Sequence, residues 1–165
     1  MSAEESNGQE GAPATLTSRL EAVYSEIGTT RMADVPMLNS ALRVEAVSFM
    51  ACGENWLGIL ITPWFMNLML LPRAGQAWPG LVTGQIVVQA FPSGEYDFIV
   101  GQEAALGQYQ SCSLFSPMFE FPDQASARAT ALAARANLFA SGVAPGAAAS
   151  MSRRRFLLGG AASGA

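Results

Sequence analysis

The stretch Trp56-Leu57-Gly58-Ile59-Leu60-Ile61-Thr62-Pro63-Trp64-Phe65-Met66-Asn67-Leu68-Met69-Leu70-Leu71-Pro72 carries no charge, and its reading decides the fold. Residues this apolar are buried in protein or in lipid. A membrane span needs roughly 20 predominantly apolar residues, so length alone leaves the membrane in play. The interior argues against it. Pro63 and Asn67 fall near the middle, where one breaks the hydrogen-bond ladder and the other sets an unpartnered amide in hydrocarbon. Two strands fit better: Asn55 to Ile61, stopped by Thr62-Pro63, and Trp64 to Leu71, stopped by Pro72. Strands apolar on both faces are covered on both faces, or wait for a partner to cover one.

Composition narrows the class further. The chain has 165 residues, enough for one domain with tails, and is 50% hydrophobic and 13% charged. That charged share is about half the usual ~25% of a soluble domain. Net charge is -4, which disfavours a nucleic-acid partner. There is no Lys, and between Asp34 and Ala127 the bases are Arg43 and Arg73 alone, against Asp34, Glu45, Glu54, Glu95, Asp97, Glu103, Glu120 and Asp123. A body both apolar and acidic suits a ligand both apolar and basic, although most single carboxylates of such a set are ordinary solvated side chains.

The chain contains no histidine. Ser-His and Cys-His nucleophile pairs are thereby excluded, along with the commonest metal ligand. Cys52 and Cys112 lie far apart without a Cys-x-x-Cys pattern and read as small buried hydrophobes. No cofactor or metal is expected. One enzymatic alternative is a reactive Cys112 between Ser111 and Ser113, in a redox or acyl-transfer role. Without histidine it would need a helix N-terminus or a neighbouring Arg to lower its pKa. A membrane-surface protein that uses the apolar hairpin is another alternative.

Outward from the hairpin, residues 1–14 are rich in Glu, Ser, Gly and Pro and read as a solvated leader. From Thr15, Leu16, Leu20, Val23 and Ile27 recur at helical spacing to about Met32, with Glu21 and Glu26 outside. Leu42, Val44 and Ala46 then alternate with Arg43 and Glu45 in a half-exposed strand towards Phe49. Past Pro72, a loop holds Trp78, either a plug over the sheet or a recognition residue. In Gly84 to Phe91, Gln85 and Gln89 oppose Ile86, Val88 and Ala90; after the turn Pro92-Ser93-Gly94-Glu95, Tyr96, Phe98 and Val100 share one face. The spacing of Gln108 to Pro117 fits a last strand or a partly helical loop. Asp123 is a candidate N-cap for an Ala-rich helix to about Ala140, with Arg128 and Arg135 outward and Leu132, Leu138 and Phe139 inward. The expected fold is α+β: one domain over 15–141, an antiparallel β-sheet of five or six strands flanked by an N-terminal and a C-terminal helix.

Residues 142–165 form a Gly, Ala and Pro linker followed by Ser152-Arg153-Arg154-Arg155-Phe156-Leu157-Leu158. That run looks like the core of a twin-arginine export signal, yet few residues follow it, which argues against export. It reads either as an exposed basic tail or as a ligand mimic, with Arg153, Arg154, Phe156 and Leu157 as its motif.

Ile61-Thr62-Pro63-Trp64, Tyr109 with Ser111-Cys112-Ser113-Leu114, Ser116-Pro117, and a late Arg-Arg before Leu-Leu recur in that order in the HybE-type and HupJ-type nickel-iron hydrogenase assembly chaperones, which this chain resembles. The resemblance implies a cytoplasmic accessory protein without catalysis or cofactor. It implies recognition of the twin-arginine signal of the hydrogenase small-subunit precursor before export, with the large subunit as a further client. It also draws Cys112 into the partner-binding set. A matching site would pair an apolar floor of Trp64, Phe65, Trp78, Tyr109 and Phe115 with a rim of Glu95, Glu103 and Glu120. Carboxylates take guanidinium forks in bidentate hydrogen bonds, and Met66 and Met69 add an adaptable apolar surface. For each aromatic singly, core packing is the competing role.

Overall fold

A computed structural model describes residues 11–73 and 78–140. The elements run α1 (Ala14–Thr29), β1 (Glu45–Cys52), β2 (Asn55–Ile61), β3 (Met66–Pro72), β4 (Ile86–Phe91), β5 (Gly94–Glu103), β6 (Gly107–Phe115) and α2 (Gln124–Leu138). Gln108 to Phe115 is therefore strand. All neighbouring strands are antiparallel, in the order β1-β2-β3-β6-β5-β4. The β4–β5 hairpin is thus placed outside β6, which leaves β1 and β4 as the two edges. Residues 1–10 of the leader expected over 1–14, and the tail with Arg153, Arg154, Phe156 and Leu157, lie outside the described residues.

The uncharged stretch forms the centre of the sheet, with Leu57, Ile59, Leu60, Ile61, Met66 and Met69 fully buried. Burial of each such side chain is worth roughly 1.5–3 kcal/mol, and no lipid is required to cover them. Alternation divides them between two layers. On one face Val47, Leu57, Ile59, Leu68, Phe98, Cys112 and Leu114 pack under α2; on the other Phe49, Trp56, Leu60, Met69 and Leu71 pack under α1. Phe49 lies over Gly58, where an added Cβ would come within 2.3 Å of the ring.

Three details correct the expectations. Trp64 and Phe65 do not start β3: Thr62 Oγ1 accepts from the Trp64 and Phe65 N–H groups at 3.1 and 2.9 Å, folding both into the turn. The strand after Leu42 begins only at Glu45 and bulges between Val47 and Met50, where Ser48 takes a φ of 56°. α2 docks through the small residues Ala127, Ala131 and Ala134 together with Leu138, whereas Leu132 and Phe139 are exposed. An alanine stripe brings the helix close to the sheet and leaves Leu132 on its outer side. Asp123 caps α2 as expected, its side chain accepting from Ser126 N–H at 2.8 Å.

Close approach also draws the two outward-assigned arginines towards β1. Arg128 forks onto Glu45 at 2.8 and 3.1 Å, and Gln124 adds a third bond to that carboxylate at 2.9 Å. Burial raises the Glu45 pKa, but the bonds from Arg128 and Gln124 outweigh it and hold the carboxyl below its usual range. Arg135 donates to Ser48 O at 2.9 Å, fixing the bulge.

Candidate functional site

The residues singled out in the sequence divide between the two faces. Trp64, Phe65, Tyr109 and Glu103 come together on the α1 side. Phe65 meets Tyr24 edge-on at 5.9 Å and Trp64 at 5.5 Å. Tyr109 lies against Gly101 and hydrogen-bonds Tyr24, whose phenol is held far above its ordinary range by burial first and by Tyr109 second. Glu103 binds Arg31 at 2.8 Å, which ties the end of α1 to the β5–β6 turn. These groups serve as the seat of α1: Trp64 is only 9% exposed and Glu103 already holds a guanidinium.

Trp78, Phe115 and Cys112 pack with the α2-side cluster. Trp78 is pinned in the plug position by its N–H to Gln108 Oε1 at 2.7 Å and its indole N–H to Asn55 Oδ1 at 3.2 Å. Phe115 meets Phe121 edge-on at 5.1 Å. Cys112 is fully buried beneath α2, so a reactant cannot reach its sulfur without unfolding. Glu95 is exposed on β5 and Glu120 on the loop before α2. The five aromatics therefore do not form one continuous floor.

Among the described residues, clefts border α1 on either side of its C-terminal half. One, of about 240 Å³, lies between Gly28, Leu38, Pro63 and Trp64, with Arg43 in its wall. The other, of about 220 Å³, is spanned by the Arg31–Glu103 pair. A cationic ligand would meet an arginine in each. Among the described residues there is no His, Cys, Asp and Glu cluster able to hold a metal ion.

A different surface is open. β5 faces α2 with Tyr96 and Phe98, so Glu95, Asp97 and Ile99, at the alternate positions, point to the other side. Directly opposite them on β4 stand Ala90, Val88 and Ile86. Ile99 pairs with Ser111 and Ser111 with Met69, so this is the face that α1 covers farther along the sheet. Over β4 and β5 nothing among the described residues covers it: Ile86 is 60% exposed, Val88 55% and Ile99 40%, with Val82 at 65% just before β4. The strip is graded, apolar at the Ile86–Ile99 end and acidic towards Val88–Asp97 and Ala90–Glu95. An apolar strip rimmed by charge on a sheet surface is a docking site in form. Of its members only Glu95 stood among the expected site residues. The sequence did contain a signal for the others: Val87 and Phe91 oppose Ile86, Val88 and Ala90, so both faces of β4 are apolar while one helix covers one face.

The outer edge of β4 is equally bare. Among the described residues nothing pairs with it, and it carries no charged side chain or interior proline to block strand addition. No helix among the described residues is long and apolar enough to cross a membrane.

Comparison with known proteins agrees with the topology and names the family. Residues 15–159 match the model of the family described as [NiFe]-hydrogenase assembly, chaperone, HybE. The chain is 48% identical over 123 residues to protein HoxT of Cupriavidus necator, covering 68% of this chain and 69% of that one. It is 42% identical over 137 residues to the probable rubredoxin HupJ of Rhodobacter capsulatus, covering 78% of this chain and 49% of that relative, about half its length. The solution structure of HybE from Escherichia coli superposes with a TM-score of 0.64 at 24% identity, over 82% of this chain and 83% of that one, and shows the same fold. The chain belongs to the HybE family of [NiFe]-hydrogenase assembly chaperones.

Proposed function

We propose that this protein assists maturation of a nickel-iron hydrogenase on the cytoplasmic side of the membrane, by holding the twin-arginine signal peptide of the small-subunit precursor on the β4–β5 face. The observation that carries the reading is the graded strip, in which Ile86, Val88 and Ile99 stand exposed beside Glu95 and Asp97. A twin-arginine signal joins two guanidiniums to an apolar run, the same two chemistries in the same order. Each guanidinium can fork onto a carboxylate while aliphatic side chains cover the valine and isoleucines. No bond is made or broken, and the activity is protection of a segment until assembly is complete. Family membership makes hydrogenase subunits the partners, and the large subunit is the second client to try.

Titration of a fluorescent twin-arginine peptide into the chain tests the proposal. Binding should weaken by about tenfold or more when the peptide's Arg pair becomes Gln, and again in an Asp97→Asn, Glu95→Gln variant, since a charge-assisted hydrogen bond contributes ~1.5–3 kcal/mol. If the variant binds like the wild type, the site lies elsewhere. If the wild type does not bind the peptide at all, the signal-peptide reading fails.

A further inference from the structure

α2 ends beside the bare edge. Ser93 N–H, in the β4–β5 turn, donates to Leu138 O at 3.2 Å, and the Phe139 ring meets Phe91 edge-on at 5.8 Å. The chain therefore leaves the described residues at the Phe91 end of β4. Residues 141–152 can reach at most roughly 40 Å when extended, whereas a strand as long as β4 spans about 20 Å. Arg153 to Leu158 are thus within reach of any point along the edge.

Direction then matters. A segment entering at the Phe91 end and running towards Ile86 lies antiparallel to β4. In the sequence Arg153-Arg154-Arg155-Phe156-Leu157-Leu158, the three cations come first and the apolar residues follow. On the face the order is the same: Glu95 beside Ala90, then Asp97 beside Val88, then Ile99 beside Ile86, with Val82 beyond. The opposite direction would set leucines against Glu95 and guanidiniums against the isoleucines. The geometry points to Arg153–Leu158 adding in cis as an antiparallel strand on β4, where it competes with the client's signal peptide; this rests on the site assigned under Proposed function. Strand addition uses main-chain hydrogen bonds for affinity and side-chain pockets for specificity, and a short tether supplies an effective concentration on the order of millimolar.

Amide hydrogen exchange over Ile86–Phe91, without any added peptide, tests the contact. The full chain is compared with a chain ending at Ser150 and with a full-length Arg153→Gln, Arg154→Gln, Arg155→Gln variant, which keeps the tether. Both changes should speed β4 exchange by about tenfold while leaving β2 and α2 amides unaltered, and the shortened chain should bind the fluorescent signal peptide about tenfold more tightly. Equal β4 exchange in the full and shortened chains overturns the inference, even if the signal peptide binds both. Protection that rises with protein concentration also overturns it, because a second copy would then be the occupant. Protection lost on shortening, in a chain that binds no signal peptide, upholds the tail contact while the Proposed function fails.

Discussion

The two edges of the sheet are treated in opposite ways. At β1 the outward groups are taken up: Glu21 accepts Ala46 N–H at 3.0 Å, Ala12 N–H donates to Phe49 O at 2.9 Å, Gly11 bridges Met50, and Arg135 holds Ser48 O. Even the residues just ahead of the strand are held, with Gln124 accepting from Arg43 N–H at 2.8 Å. The expected leader thus contributes its last residues to the edge. At β4 no comparable group appears among the described residues, and the side chains beside the edge are exposed valine and isoleucine. An unprotected edge invites pairing, and a chain that closes one edge so thoroughly has the means to close the other. On the proposed reading, β1 is the anchoring edge and β4 the interaction edge. Changes at the first should cost stability, and changes at the second should cost binding.

The largest effect is expected from Gly58→Ala. The new Cβ would press on Phe49 at the bulge, and overpacking of this kind costs about 1–3 kcal/mol or more. Urea denaturation should show the loss as a lower midpoint with an unchanged slope. A midpoint within error of the wild type would mean that the Phe49 ring can swing away, and that the β1 side is less tightly closed than its contacts indicate.

Glu45 comes next. Its folded pKa lies below the unfolded value, so its contribution is full above the ordinary glutamate pKa and is lost as the pH falls through the folded value. Glu45→Gln should therefore destabilise by about 1–2 kcal/mol at pH 7 and by progressively less in acid, flattening the low-pH limb of the stability curve. Parallel curves for variant and wild type would show that the Arg128 fork contributes nothing measurable.

How much of this was legible follows from which interactions are local. The paired central strands, the β4–β5 hairpin and the Asp123 cap depend on near neighbours, so alternation, breakers and an N-cap residue revealed them. Trp64 and Phe65 were misplaced because Thr62 uses its hydroxyl to fold them into a turn, a choice the apolar run conceals. The candidate site was harder, since insertion of β4–β5 outside β6 decides which aromatics share a face. No periodicity within a strand reports strand order. Tyr109 and Cys112 are near neighbours in sequence, yet one faces α1 and the other α2. Ile86 and Val88 form the apolar side of a regular alternation; Val87 and Phe91 behind them signal a second apolar face, and the placing of the helices decides which of the two stays open.

A smaller effect, of opposite sign, is expected from Asn67→Leu. Among the described residues, Asn67 Oδ1 is buried without a hydrogen-bond partner, on a strand position paired with Leu60 and Ser113. An orphaned acceptor costs about 1–3 kcal/mol, so an apolar side chain of similar volume should raise stability by roughly 1 kcal/mol. A loss of stability instead would reveal that the amide has a partner in solution, such as an ordered water.

The smallest change in stability should come from Val88→Lys, which remakes the open edge on the pattern by which proteins commonly protect one. The side chain is more than half exposed, and surface substitutions of this kind usually stay within about 0.5 kcal/mol. Its effect on recognition should be large. A lysine opposite Asp97 neutralises one of the two carboxylates and presents a like charge to an incoming guanidinium, while its ammonium discourages a strand from settling on β4. Signal-peptide affinity should fall by tenfold or more at unchanged thermal stability. Were stability to fall instead with affinity intact, β4 would be the structural edge, and the assignment of anchoring and binding between the two sides of the sheet would have to be exchanged.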